Sequence, residues 1–211
     1  MNPRAFVLLL ALLVQGCVSG ALPRTPSSEP GATGDPQEGS SLLVPPGFGT
    51  LLQDDITLRL QRGDLLIKVT PLEEWVIRLT APDTYHRLRG LAQAHGSRAA
   101  GSLPADEAAL FLVSLFSHRP DVTYEPEDLL LVNRGLRFRP SGIAAITPAW
   151  GTQRLAQQET RMAVYAFDGP MDLQRDLVVE YQELRNEVWA DRTVPALEAE
   201  RVKARARAGG Q

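Results

Sequence analysis

From residue 56 onward the apolar positions fall into short runs of two different periods. Ile56, Leu58 and Leu60 alternate with Thr57, Arg59 and Gln61, the period-2 pattern of a half-buried strand. Arg62-Gly63-Asp64 supplies turn chemistry and Leu65-Leu66-Ile67-Lys68-Val69 a second strand, so a hairpin is predicted. The spacing then changes: Leu72, Trp75, Val76 and Leu79 share one helical face. Thr70-Pro71-Leu72-Glu73 has the form of a helix start, with Thr70 as cap, Pro71 at the first helical position and Glu73 completing a capping box. Pro82 is expected to break this helix. A second helix is predicted from Asp83 to His95, with Tyr85, Leu88 and Leu91 on one side and Gly96 as its stop. Trp75 and Tyr85, spaced among leucines, read as core residues before they read as ligand platforms.

The second half returns to strand patterns. Residues 109–116 form the most apolar run of this region, and its length and bounding turns suit a central strand. Leu129-Leu130-Leu131-Val132, the turn Asn133-Arg134-Gly135 and Leu136-Arg137-Phe138-Arg139 predict another hairpin. Further strands are expected at 143–146, 161–167 and 177–181, and a charged helix with a thin apolar stripe at 191–208. Several short strands without regular strand-helix alternation predict a mainly β fold with added helices, an antiparallel β-sandwich with a helix pair inserted at about 71–95. The layout from 109 to 181 resembles immunoglobulin-like modules of secreted bacterial proteins, although the Cys and Trp hallmarks of true immunoglobulin domains are missing.

The first 45 residues follow different rules. Arg4, then the apolar run Phe6 to Val14, then Gln15-Gly16-Cys17 make an export signal. The run is shorter than the roughly twenty residues a spanning helix needs. Val14-Gln15-Gly16-Cys17 resembles the signal of bacterial lipoproteins. That resemblance implies cleavage before Cys17, a diacylglycerol on its sulfur and acylation of the new amino group. It divides the chain into a signal peptide at 1–16, a lipidated Cys17 with a disordered Ser/Pro/Gly linker at 17–45, and one domain at 46–208. Val18 after the cysteine implies the outer membrane, facing the periplasm. A simple secretory signal, cut after Ala21, is the competing reading. The 28 residues from Val18 to Pro45 hold almost no large apolar side chain before Leu42, too little to offset the entropy of ordering. As a coil they span on the order of 30 Å.

Charge narrows the partners. The chain has 22 basic and 25 acidic residues and a net charge of −3, without the clustered cations of a nucleic-acid surface. Cys17 is the only cysteine, so a lipidated Cys17 leaves no thiol for a disulfide, a zinc site or a nucleophile. No HExxH, serine-elbow or Gly-rich phosphate-loop motif is present. His86 and His95 lie nine positions apart and do not share a helix face, so neither they nor His118 predict a metal site. The acidic group Asp121, Glu125, Glu127 and Asp128 has hard ligands for calcium but lacks the glycine and spacing of a binding loop. Arg62-Gly63-Asp64 matches an integrin-binding tripeptide, yet Gly-Asp between apolar runs is first of all a turn. Glu73 and Asp83 are conceivable as an acid and base pair, but nothing in the sequence joins them.

What remains is a surface. Arg137 and Arg139 fall on one face of a predicted strand, with Arg134 before them and Arg161 on a later strand, a stripe suited to an acidic partner. Trp150 sits in a predicted loop, where it either contacts a partner or caps the end of the sandwich. The sequence therefore predicts a non-catalytic envelope lipoprotein without cofactor or metal, held to the membrane by its lipid and binding another envelope protein. The alternatives are an envelope hydrolase or glycan-processing enzyme, and a lipid-carrying module with a cavity between the helix pair and the sheet.

Overall fold

The computed structural model describes residues 43–104 and 107–210. Cys17, the signal segment and the tether up to residue 42 lie outside the described residues. A 3-10 turn at Gln53–Ile56 takes Ile56, which the alternation placed in a strand, and β1 (Leu58–Arg62) and β2 (Leu65–Pro71) follow, joined across Gly63-Asp64 with Arg62 opposite Leu65. Gly63 takes φ +56°, the conformation that two-residue hairpins require at their first loop position.

Two helices follow, α1 (Glu74–Ile77) and α2 (Pro82–Ala100). The first is much shorter than the sequence predicts, because Thr70 and Pro71 belong to β2. Thr70 lies opposite Leu112 of the next strand, and its hydroxyl shares a hydrogen bond with that of Thr57 (2.7 Å). Glu73 precedes α1 without making a side-chain cap bond. Ladder pairing and burial thus override a local capping box, as tertiary context commonly overrides propensity. α2 runs through Gly96, and Gly101 at φ +62° ends it. Gly96 is there for space, since a Cβ would lie 2.7 Å from Leu110 Cδ1.

β3 (Ala108–Ser117) starts the remaining strands, followed by β4 (Val122–Thr123), β5 (Leu129–Asn133), β6 (Leu136–Phe138) and β7 (Pro140–Ala145). β8 (Arg154–Leu155), β9 (Thr160–Asp168), β10 (Val178–Tyr181) and β11 (Leu184–Asn186) complete them. The strands form a five-stranded sheet in the order β1-β2-β3-β9-β7, a four-stranded sheet β11-β10-β5-β6 and the short pair β4-β8. Every pairing between these strands is antiparallel. β3 is central and β9 is buried from Ala163 to Phe167, in keeping with their apolar sequences. α3 (Val194–Gly209) closes the chain after a π-helical turn at Trp189–Thr193.

Inward side chains of both large sheets contribute to one core, with Ile67, Leu115 and Tyr165 from the first and Leu129, Leu131 and Tyr181 from the second. Polar stitches cross it: Tyr165 Oη donates to Pro126 O (3.0 Å), and Glu125 N–H donates to Tyr181 Oη (3.0 Å). The mainly antiparallel β architecture with a C-terminal helix is as the sequence predicts. The strand at 143–146 also forms, but it changes sheets: β6 belongs to the four-stranded sheet and β7 pairs with β9 in the other, with a register shift between Pro140 and Gly142.

Candidate functional site

The change of sheet isolates the β5–β6 hairpin at one end of the second sheet. Its loop residues Arg134 (φ +53°) and Gly135 (φ +75°) are both left-handed, as a two-residue loop of type I′ demands. A non-glycine residue there needs support. Asp176 supplies it, both carboxylate oxygens accepting from Arg134 N–H (3.0 and 3.1 Å). Beside it the buried Asn133 side chain donates through Nδ2 to the carbonyls of Asp172 (3.1 Å) and Asp176, and accepts from Asp172 N–H (2.9 Å). The hairpin is therefore clamped onto the 172–176 loop.

β6 itself is presented to solvent. Leu136 is 65% exposed although it shares a face with buried Asn133, because the hairpin tip overhangs the end of the core. Leu136 and Phe138 form one wall of an open crevice of about 520 Å³, Gly169 and Pro170 form the other, and Arg134 and Asn133 complete it. Arg137, on the opposite face, pairs with Glu180 of β10 (Nε to Oε2, 2.9 Å), which Arg185 also approaches at 3.7 Å. The guanidinium groups of Arg134 and Arg139 make no hydrogen bond or ion pair with other described residues. An apolar crevice with the uncompensated Arg134 at its edge suits an occupant with an apolar body and an anionic group.

The other sequence candidates have separate fates. Arg161 is not part of this stripe. It lies in β9, buried, with Nε on Glu159 Oε1 (2.7 Å) and Nη1 donating to Ala149 O and Thr152 Oγ1. The hydrogen bond from Arg161, with that from Ala156 N–H, outweighs burial and holds the Glu159 carboxyl below its ordinary value. Trp150 is a core residue and not a surface contact. It is only 6% exposed and packs between the Tyr124 and Tyr165 rings at 5.4 and 6.0 Å. Its loop is apolar enough to fold over the end of the first sheet, the capping role the sequence allowed. Burial pushes the hydroxyls of Tyr124, Tyr165 and Tyr181 upward, so all three stay neutral.

The acidic residues of 121–128 disperse: Asp121 faces Arg154 (3.5 Å), and Asp128 accepts from Gln182 Nε2 (3.0 Å). No group of three His, Cys, Asp or Glu placed to hold a metal ion occurs among the described residues. His95 Nδ1 lies 2.9 Å from Arg98 Nη2 on the surface of α2. Glu74, and not Glu73, is the engaged carboxylate near α2, accepting from Arg78 Nε (2.6 Å) and Tyr85 Oη (2.9 Å).

One site carried no sequence signal. Glu200 in α3 is 4% exposed, and its Oε1 accepts from Thr50 N–H (2.9 Å), Thr50 Oγ1 (2.9 Å) and Arg207 Nη1 (2.8 Å). Arg207 also donates to Phe48 O. These bonds fasten the first described residues to the last helix, a structural clasp. A carboxylate on the thin apolar stripe of a charged helix gives no hint of Thr50, which lies 150 residues away.

No protein-family model matches the chain, and no curated protein does. Among solved structures, the crystal structure of MPT63, a secreted protein from Mycobacterium tuberculosis, is similar over 61% of this chain and 87% of that one. The identity is 11% and the TM-score 0.33, a likeness that carries no argument for fold or function. Among the described residues no helix is long and apolar enough to cross a membrane.

Proposed function

We propose that this protein is a lipid-anchored component of the bacterial cell envelope whose folded part is a non-catalytic binding domain. The observation that carries the anchor is the run Val14-Gln15-Gly16-Cys17 after a short apolar segment. A doubly or triply acylated cysteine meets the requirement that stable anchoring takes more than one chain. The tether lets the domain work at a distance on the order of 30 Å from the bilayer, and the location is the outer membrane on its periplasmic side. We read the two large sheets as an immunoglobulin-like sandwich, a scaffold on which binding residues sit at strand ends and hairpins.

The binding reading is supported by where the strained and uncompensated groups lie. The ionisable side chains with strong partners, Glu159, Arg161 and Glu200, are saturated by intramolecular bonds and hold the fold together. Arg134 and Leu136 line the open crevice instead, and Arg139 is exposed just beyond β6. The occupant is another envelope protein.

In cells, the Cys17→Ala form is expected to leave the membrane fraction and to appear with an uncut N-terminus by mass spectrometry. A Cys17→Ala form that stays membrane-bound and fully trimmed would contradict the anchor. For the binding role, a photoactivatable amino acid in place of Leu136 is expected to yield a discrete protein adduct on illumination of intact cells, and the same substitution for exposed Val202 on α3 is expected to yield none.

A further inference from the structure

The other edges of the two large sheets have neighbours. β1 lies beside β11, where Asn186 Nδ2 donates to Arg59 O (2.8 Å). α2 lies against β7, with Arg98 Nη2 donating to Ala145 O (2.6 Å), and a Cβ on Gly142 would sit 2.1 Å from Ala99 O. β6 pairs with β5 alone among the described residues. A ladder closed by a two-residue turn begins with the hydrogen-bonded pair Asn133–Leu136, so Val132–Arg137 is a non-hydrogen-bonded pair. The N–H and C=O of Arg137 therefore point outward along the open edge.

We infer that β6 is a strand-addition site for an extended acidic polypeptide segment, an inference that rests on the binding role proposed above and names its chemistry. Three features act together. The outward N–H and C=O of Arg137 call for a donor and an acceptor in ladder geometry, which a polypeptide backbone offers and a lipid headgroup does not. Arg134 and Arg139, at the two ends of β6 and without side-chain partners among the described residues, are placed to meet carboxylates. The crevice beside Leu136, Phe138 and Pro170 takes an apolar side chain between those carboxylates. The three-residue length of β6 and its cations protect the free protein from pairing with its own kind, so selectivity comes from charge and not from the backbone.

The test is a titration of the full processed chain in detergent with a peptide of alternating valine and glutamate, read by amide hydrogen exchange and fluorescence anisotropy. The expected result is slowed exchange at Arg137 N–H and at the outward amides two positions to either side of it. Replacing every glutamate by lysine abolishes the effect. The double variant Arg134→Glu/Arg139→Glu weakens binding roughly tenfold, as reversing two partly exposed charges does, while its Tm stays that of the wild type. Unprotected Arg137, or equal binding of the glutamate and lysine peptides, overturns the inference. So does protection of the same amides by self-association of the chain without peptide, or by vesicles of anionic phospholipid with no effect of the peptide. A protein adduct from position 136 in cells together with an inert peptide keeps the binding role and removes the acidic strand. The absence of any adduct in cells removes the binding role itself.

Discussion

Replacing Gly142 by alanine is expected to destabilise the protein by about 3 kcal/mol, the upper range for overpacking. Gly142 lies in β7 where α2 crosses it, and its missing side chain is the space occupied by Ala99 O. An alanine Cβ would stand 2.1 Å from that oxygen and 3.2 Å from the Ala99 carbonyl carbon. Backbone atoms cannot turn aside as a side-chain tip can, so α2 must lift from the sheet, which opens the contact with β7 and β9 and strains the Arg98–Ala145 bond. Gly151→Ala is the matched control: its Cβ would meet nothing within 4 Å, and a change within about 0.5 kcal/mol is expected. Urea unfolding of the two variants decides the matter. Equal midpoints for Gly142→Ala and wild type would mean that the helix does not seat on the sheet as described.

Glu200→Ala is expected to cost about 2 kcal/mol, because it removes the shared acceptor of the Thr50 N–H and hydroxyl and the charged partner of Arg207, all of them partly screened by solvent. Glu200→Gln keeps one acceptor oxygen and loses the charge, so about half that cost is expected. The clasp also predicts a pH dependence. Burial pushes the Glu200 carboxyl up, but the hydrogen bonds from Arg207 and Thr50, with the charge of Arg207, outweigh it and hold the group below its ordinary value of 4.5. A carboxyl depressed in the folded state binds fewer protons there than in the unfolded chain. Its stabilisation is therefore complete above 4.5 and is lost as the pH falls below that value through the depressed folded one. The gap in unfolding free energy between wild type and Glu200→Ala is expected to be constant near neutrality and to narrow in acid. A gap that widens in acid would show that the carboxyl is raised and that the clasp is not ionic.

The strands were legible because each needs only its own neighbours in sequence to be recognised. Leu58 to Leu60, the apolar run at 109–116 and the Asn133-Arg134-Gly135 turn all carry a period or a turn chemistry that the fold keeps, whereas Ile56 ends a 3-10 turn before the strand begins. The helix start at Thr70 was legible and wrong for the complementary reason. A capping box is worth about 1 kcal/mol, and burying Thr70 and Pro71 in the ladder with β3 is worth more. Gly96 was misread in the same way: a glycine after a helical stripe signals a stop, whereas here it makes room for Leu110. Of the three surface candidates, Arg137 and Arg139 are on the surface at the candidate site, and Trp150 is in the core. An aromatic in a Pro-Ala-Trp-Gly loop reads alike whether it faces water or Tyr124 and Tyr165.

The sequence by itself determined the local menu: which segments alternate as strands and where the hairpins turn. Only the tertiary structure decided which strands share a sheet, which glycines are spaces for another backbone, and which charges are consumed by the fold. The physical reason is that periodicity and turn chemistry act over a few residues. The pairing of Thr50 with Glu200, the saturation of Arg161, the passage of the chain from β6 to β7 and the open edge it leaves beside Arg134 and Arg139 are contacts between segments that no local pattern connects.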